Sequence, residues 1–406
     1  MLFHFSEHTT PLLFGFLQGI IYSTLLLARG YRKDRLSDKL LAGVLLVCSF
    51  EIAQYMLGFG GWYDSRDWHS TFMFYFPFHN LLLFGPLIYF YFRSLTNHEF
   101  LFQRKDWWHF APGVIIYAFY FGSFIGDIVI LKGIMDNPLP DHYGTQGMLS
   151  TLRERYITDS TPVQFLGNLS MLIYMTLTIR EFSQYRKYIY NNFAETEGIR
   201  FTWLRTVLWA FIIGLGINVL FDISQLFVSL NYAQNWNSFL VTAVMIYFIS
   251  IPGYTASHQI PVLSFTPDVE EDEKQAPSIS SMPELPQWKQ KVEDIMQEQQ
   301  LHLDPNITLS ELAKKLKTNP SILSKVINSG FEQNFNDFIN ARRVKAVQEK
   351  MQQPKYEHYT LMSIAFDSGF NSKSTFNRAF KKFAGMSPKE FLASCKEEKV
   401  GQVELV

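Results

Sequence analysis

Seven polar or basic residues share one face of a helical stretch near the end of this chain. In SKSTFNRAFKKF, Ser372, Lys373, Ser374, Asn377, Arg378, Lys381 and Lys382 recur at helical spacing, and Phe376, Phe380 and Phe383 occupy the opposite face. Hydroxyl, amide and cationic groups on one helix face are the donors and acceptors that read base-pair edges in a major groove and hold the flanking phosphates. A weaker version lies upstream in PSILSKVIN, where Leu323 and Ile327 point inward and Ser321, Ser324, Lys325 and Asn328 outward.

Reading chemistry of this kind needs a short supporting helix at a fixed angle. Upstream of Pro320, the segment TLSELAKKL has Thr308 or Ser310 to cap a helix whose Leu309, Leu312, Ala313 and Leu316 share a face. Lys317, Thr318 and Asn319 make the turn, and Pro320 suits the first helical position because its missing N–H is not needed there. The arrangement occurs twice. In LMSIAFDSGFNSKSTFNRAFKKF, Ile364 and Ala365 stand for Leu312 and Ala313, and Phe376 and Phe380 for Leu323 and Ile327. One extra turn residue is accommodated by Gly369, which tolerates positive φ. The first helix of this second unit is expected over Leu361 to Ser368 and the second over about Ser372 to Phe383. Between the units, NFNDFINARRVKAVQEKMQ keeps helical period, with Phe335, Phe338, Ile339 and Val347 as core positions. A helix of about 18 residues is a spacer of about 27 Å, which suits successive major-groove turns about 34 Å apart. Residues 305–392 hold fourteen Lys or Arg against seven Asp or Glu, an excess suited to phosphate neutralisation and salt-sensitive binding.

With these motifs in hand, the last ~100 residues resemble the DNA-binding domain of the AraC/XylS family of transcriptional regulators. IAFDSGFNSKSTFNRAFKKFAGMSPKEF carries the resemblance, supported by LSELAKKLKTNPSILSKVIN and FNDFINARRVKAV. The resemblance implies two helix-turn-helix units joined by a long helix. It implies that Ser321, Ile322 and Lys325, then Lys373, Ser374, Asn377 and Arg378, face bases or phosphates, with Gly369 and Pro388 structural. Ile322 is apolar where a larger polar or aromatic residue is common in the family.

A second set of polar residues sits inside long apolar runs. Glu51, Gln54, His79, Asn80, Asp127, Asn168, Asn218, Asp222 and Gln225 are of this kind, and ionisable groups inside membrane spans are functional candidates by default. Glu51, Gln54, His79, Asp127, Asn218 and Asp222 are the candidate ligand pocket, with hydrogen bonding between helices as the structural alternative. No ligand spacing within one helix favours a metal site at Glu51, His79 and Asp222.

The runs that carry them are seven: Pro11 to Ala28, Leu40 to Phe59, Thr71 to Phe92, Phe110 to Ile130, Gln164 to Ile179, Thr206 to Phe227 and Ser238 to Gly253. Each approaches the ~20 residues that cross a hydrocarbon layer as a helix. No Lys or Arg precedes the first, so it is not read as a secretory signal. Alternate loops carry thirteen Lys or Arg, from Arg29 to Arg205, against four in the others, Arg66, Lys132, Arg153 and Arg155. By the positive-inside rule this places the N-terminus outside and the C-terminus in the cytoplasm. Trp107, Trp108, Trp203 and Trp236 fall near segment ends, as interfacial aromatics do. In that orientation the buried polar residues cluster in the outer halves of their spans, which suggests a pocket open to the outside.

The chain thus divides into residues 1–256, a seven-helix membrane sensor; 257–286, an acidic Pro/Ser-rich cytoplasmic linker; and 287–406, a soluble helical reader. The expected fold class is all-α. The net charge of -1 over 406 residues averages these unlike parts, and 28 of the 38 Phe lie in residues 1–256. Cys48 and Cys395, far apart, exclude a disulfide scaffold or cysteine zinc site. No catalytic motif such as G-x-S-x-G, HExxH or a phosphate loop is present, so no catalytic residue, metal or cofactor is expected. The leading expectation is a membrane-tethered one-component transcriptional regulator in the inner membrane. Its partners would be double-stranded DNA at a two-part site, lipid, an unknown ligand, a second copy of the chain and RNA polymerase. The competing expectation is a membrane transporter or enzyme with an attached regulatory domain, and a third is proteolytic release of the reader at Pro261 to Pro286.

Overall fold

A computed structural model describes residues 3–97, 100–158, 161–194, 201–225, 227, 231–256 and 285–403. Among them the chain is all helical, apart from the isolated β-bridges Asp141 with Gln146 and Phe193 with Thr308. It forms two compact units. The first contains residues 1–182 and 202–265, and the second residues 183–201 and 266–406.

The first unit is built from α1 (Thr9–Arg32), α2 (Leu36–Phe59), α3 (Trp68–Tyr75), α4 (Leu81–Thr96), α5 (Ala111–Phe124), the short α6 (Met148–Arg153), the first part of α7 (Thr161–Asn192), α8 (Phe201–Gln225) and α9 (Tyr232–Ala256). Beyond α5 the helix continues over Ile125–Ile134 with the wider winding of a π-helix. Among the described residues, six helices are long and apolar enough to cross a membrane: Thr9–Arg32, Leu36–Phe59, Arg104–Ile134, Pro162–Asn192, Leu204–Phe221 and Tyr232–Thr255. These six suggest a multi-pass integral membrane protein. Large apolar side chains such as Ile115, Phe121, Leu172, Ile213 and Phe248 are exposed on them, the reverse of a water-soluble surface.

The third apolar run departs from the expectation of one continuous span. It is broken into α3 and α4, and Phe76, before Pro77, is extended at φ -79°, ψ 130°. The ring of Pro77 disfavours helical backbone at the preceding residue, and the helix therefore ends there. At 16 residues α4 spans about 24 Å, short of a ~30 Å hydrocarbon layer.

The core of this unit joins α1, α2, α4 and α9 through Leu12, Leu26, Leu45, Ile52, Phe90 and Ile246. At Gly19 the helices approach so closely that a Cβ would collide with Ser49 Oγ, the small-residue contact through which membrane helices pack. Arg29, counted above among the loop cations, is buried. Its Nε and Nη2 donate to Asp38 Oδ2 and Oδ1 at 2.7 and 2.8 Å, and Nη1 donates to the Tyr254 carbonyl at 2.6 Å. One guanidinium thereby ties α1, α2 and α9 together.

The second unit includes the C-terminal end of α7, then α10 (Leu285–Glu298), α11 (Leu309–Lys315), α12 (Pro320–Gly330), α13 (Phe335–Gln352), α14 (Leu361–Phe366), α15 (Lys373–Ala384) and α16 (Pro388–Val403). It has two cores, and α13 belongs to both. Phe335, Phe338 and Ile339 join Leu312, Leu323 and Ile327 in the first. Val344, Val347 and Met351 join Ile364, Phe376 and Phe380 in the second. The 3.6-residue period carries the apolar side from one core to the other along a single helix.

Candidate nucleic-acid interface and membrane cavity

Side chains start the reading helices and their supports. Thr308 caps α11 by accepting from Glu311 N, and Glu311 reaches back to Thr308 N. Asn319 caps α12, Asn334 caps α13, Thr360 caps α14 and Ser372 caps α15. Each oxygen satisfies a backbone donor that the helix itself leaves open. Ser372, placed above on the reading face, is used in this way and accepts from Thr375 N at 3.1 Å. The expected Leu361 to Ser368 helix closes at Phe366, followed by Gly369 at φ +91°.

Gly369 is required for space as well as for backbone conformation. A Cβ there would collide with the His302 carbonyl oxygen and press on Arg343 Nε. Arg343 is fully buried. It donates from Nε to His302 O and from Nη2 to Asp304 O, both at 2.8 Å, so α13 grips the segment before α11 at the point where the second unit's turn passes. His302 lies in this cationic neighbourhood. Burial, then the charges of Arg342, Arg343 and Lys350, push its imidazole down to about 4. Burial likewise lowers Arg342 to about 10, its guanidinium 3.6 Å from the centre of the Phe338 ring.

On α15, Lys373, Ser374, Asn377, Arg378, Lys381 and Lys382 are all exposed, opposite buried Phe376 and Phe380. Lys382 Nζ is paired with Asp337 Oδ2 at 2.7 Å, which joins α15 to the first turn of α13. On α12, Ser321, Ile322 and Lys325 are only half exposed, and Ile322 packs against the first core. The two faces are therefore unequal, the second being open and basic.

A helix-turn-helix domain family matches residues 312–394. This region is an AraC-type helix-turn-helix domain. The AraC-type domain aligns with uncharacterized HTH-type transcriptional regulators of Staphylococcus aureus strains COL and MSSA476. Each is 30% identical over 101 residues, which cover 25% of this chain and 13% of the relative. The match thus spans about an eighth of those relatives' length. No solved structure matches.

The first unit holds a cavity of about 360 Å³ lined by Glu51, His79, Asn80, Asn168, Ser238 and Thr242 among others. His79 Nδ1 lies 3.5 Å from Glu51 Oε1. The break between α3 and α4 delivers His79 and Asn80 to this wall, and Asn80 Nδ2 donates to Gly113 O at 2.9 Å. Non-helical backbone within an apolar helix bundle is tolerated where it borders such a space.

Two of the sequence candidates lie elsewhere. Gln54 is not a lining residue; its Nε2 donates to the Tyr63 hydroxyl at 3.3 Å. Asp127 is fully buried outside the cavity, where it accepts from the Tyr75 hydroxyl, Leu149 N and Ser150 N at 2.9, 3.1 and 2.8 Å. It holds the start of α6. The side chains of Asn218 and Asp222 lie outside the described residues. Among the described residues no cluster of three metal-ligating side chains occurs.

Sequence reasoning missed Asn336, Asn340 and Arg343. They stand at i, i+4 and i+7 on α13 and all are buried, at 4%, 2% and 0% exposure. Their signal was present as a polar row at helical spacing beside the core row.

Proposed function

We propose that this chain is a membrane-tethered, one-component transcriptional regulator. The observation that carries the reading is the joining, in one chain, of six long apolar helices to an AraC-type domain with an open basic helix. Residues 1–256 are the sensor, crossing the membrane seven times with α3 and α4 together as the third pass. The N-terminus lies outside and the reader in the cytoplasm. Residues 257–286 are the acidic linker and 287–406 the reader.

In this reading Lys373, Ser374, Asn377 and Arg378 contact bases and phosphates of one major groove, with Lys381 and Lys382 on the backbone. Ser321 and Lys325 supply a second, weaker contact on the next groove, where Ile322 offers apolar contact. Two reading helices on one rigid α13 suit a two-part DNA site. Glu51 and His79 head the ligand pocket, which opens to the outer side, and pairing of two chains would raise affinity for adjacent sites.

The test combines membrane fractionation with genome-wide mapping of DNA bound by the full chain. Expected is a protein resistant to alkaline extraction that occupies a small set of promoters. Extraction into the soluble fraction, or absence of sequence-selective binding at moderate salt, would sink the proposal.

A further inference from the structure

The stretch that follows the fifth apolar run is part of the reading unit by its contacts. Residues 183–194 close α7 and end in Phe193 and Ala194, and Phe193 pairs with Thr308 in an antiparallel bridge. Ala194 is completely buried and joins the first core, with Ile307, Leu309 and Phe338. Asn336 Nδ2 donates to Ala194 O at 2.6 Å and to Phe193 O at 3.2 Å, and Asn340 Nδ2 donates to Ala194 O at 3.3 Å. Buried carboxamides are costly without partners. Here the partners are two backbone carbonyls from a distant part of the chain. The polar row continues inward, because Asn340 Nδ2 also donates to Asn336 Oδ1 at 3.2 Å and Arg343 Nη1 donates to Asn340 Oδ1 at 3.4 Å.

The same segment reaches the reading helix. Arg186 and Tyr190 line a cleft of about 280 Å³ together with Asp337, Asn340, Arg378 and Lys382. Arg378 and Lys382 stand on α15, and Lys382 already bonds Asp337 in that cleft.

We propose that residues 183–194 are a docking segment that couples α7 to DNA reading. Resting on the function proposed above, the path from membrane to reader then runs through this packed segment as well as the acidic linker. Withdrawing the segment strips Asn336 of its two carbonyl acceptors and Asn340 of one, opens the first core at Ala194 and removes one cation from the cleft that holds Arg378. Segment position and DNA affinity are thus linked. Linkage is reciprocal, so DNA on α15 must in turn change the stability of the segment.

Hydrogen exchange on the full chain in lipid nanodiscs tests this, with and without a duplex selected by the full chain from a random-sequence library. Expected in the unsubstituted chain are slowly exchanging amides over 186–194 and a change of about threefold or more in their rate when the duplex binds. Asn336→Asp keeps the acceptor for Asn340 and turns a carboxylate toward the two carbonyls. It should speed exchange of the segment about tenfold while α15 stays protected. Exchange of 186–194 at the rate of a free loop in the unsubstituted chain overturns the docking. Protection that ignores the duplex overturns the coupling, and both outcomes are read without any variant. If no duplex is selected, the proposed function falls and the coupling with it, while protection of the segment still decides the docking.

Discussion

Arg343 donates from Nε to the carbonyl oxygen of His302 at 2.8 Å, so the long helix of the reader holds the segment that precedes its first helix-turn-helix. The guanidinium is wholly buried and has a second carbonyl, that of Asp304, at the same distance. Replacing it with Met keeps much of the volume but leaves the His302 carbonyl without its donor and the Asp304 carbonyl with only the 3.4 Å bond from Ile307 N. Arg343→Met should destabilise the reader by about 3 kcal/mol. Denaturant midpoints of the two proteins measure it, and an unchanged midpoint would show that these hydrogen bonds contribute nothing.

Gly369 faces the same carbonyl. At φ +91°, with a Cβ set to strike His302 O, Gly369→Ala combines backbone strain with a collision against main chain. The expected loss is about 2 kcal/mol or more. Gly385 has positive φ but open space around it, so Gly385→Ala carries only the backbone part, about 1 kcal/mol. Equal losses at the two glycines would refute the steric argument.

DNA binding should follow the inequality of the two reading faces. Arg378→Ala should cost about 1–3 kcal/mol of specific affinity if it reads a base. Lys373→Ala should weaken all sequences alike and lower the slope of log affinity against log salt by about 0.9 for each phosphate it no longer neutralises. Ile322→Ala is expected to act on stability through the first core. Titrations at several salt concentrations separate these, and a fall in affinity larger for Ile322→Ala than for Arg378→Ala would invert the assignment.

Acid should loosen the reader through His302. Its pKa falls from 6.5 to about 4 on folding, so the unfolded chain takes up the proton first as pH drops. The stabilisation is complete above about pH 6.5 and is lost as pH falls toward about 4, by roughly 1–3 kcal/mol once solvent screening of the half-buried imidazole is allowed for. His302→Gln should flatten this part of the stability profile, as followed by exchange protection of α13 amides. A profile of unchanged slope would assign the acid sensitivity to other groups.

In the membrane unit, Asp127 and Glu51 should behave differently although both are carboxylates in apolar runs. Asp127→Ala removes the acceptor for a hydroxyl and two backbone donors and should lower the unfolding temperature of the chain in detergent. Glu51→Gln keeps the shape of the cavity wall and should leave that temperature nearly unchanged while altering the transcriptional response. Stability loss confined to Glu51→Gln would reverse these roles.

Much of the reader is legible in the residues themselves. Thr308, Asn319 and Pro320 start helices through interactions within a few residues, and the 3.6-residue period sorts Leu312, Leu323, Phe376 and Phe380 inward. Local rules of this kind depend on neighbours in sequence. The break at Phe76 to Asn80 is visible there only as a bend, because Pro77 shows that a helix is disturbed and does not show that it ends. Gln54 and Asp127 are indistinguishable from Glu51 by sequence. Whether a buried polar group lines a cavity or closes a hydrogen bond depends on Tyr63, Tyr75 and Ser150, partners that lie 9, 52 and 23 residues away.

By itself the sequence determined that apolar runs of membrane length precede a doubled helix-turn-helix, since length, period and capping chemistry are properties of contiguous residues. Only the tertiary structure decided that Arg343, Asn340 and Asn336 form one buried polar row. It alone also showed that this row closes on Phe193 and Ala194. The reason is physical. A buried amide or guanidinium takes whichever carbonyl the fold brings within about 3 Å, and that choice is made by packing across more than a hundred residues of chain.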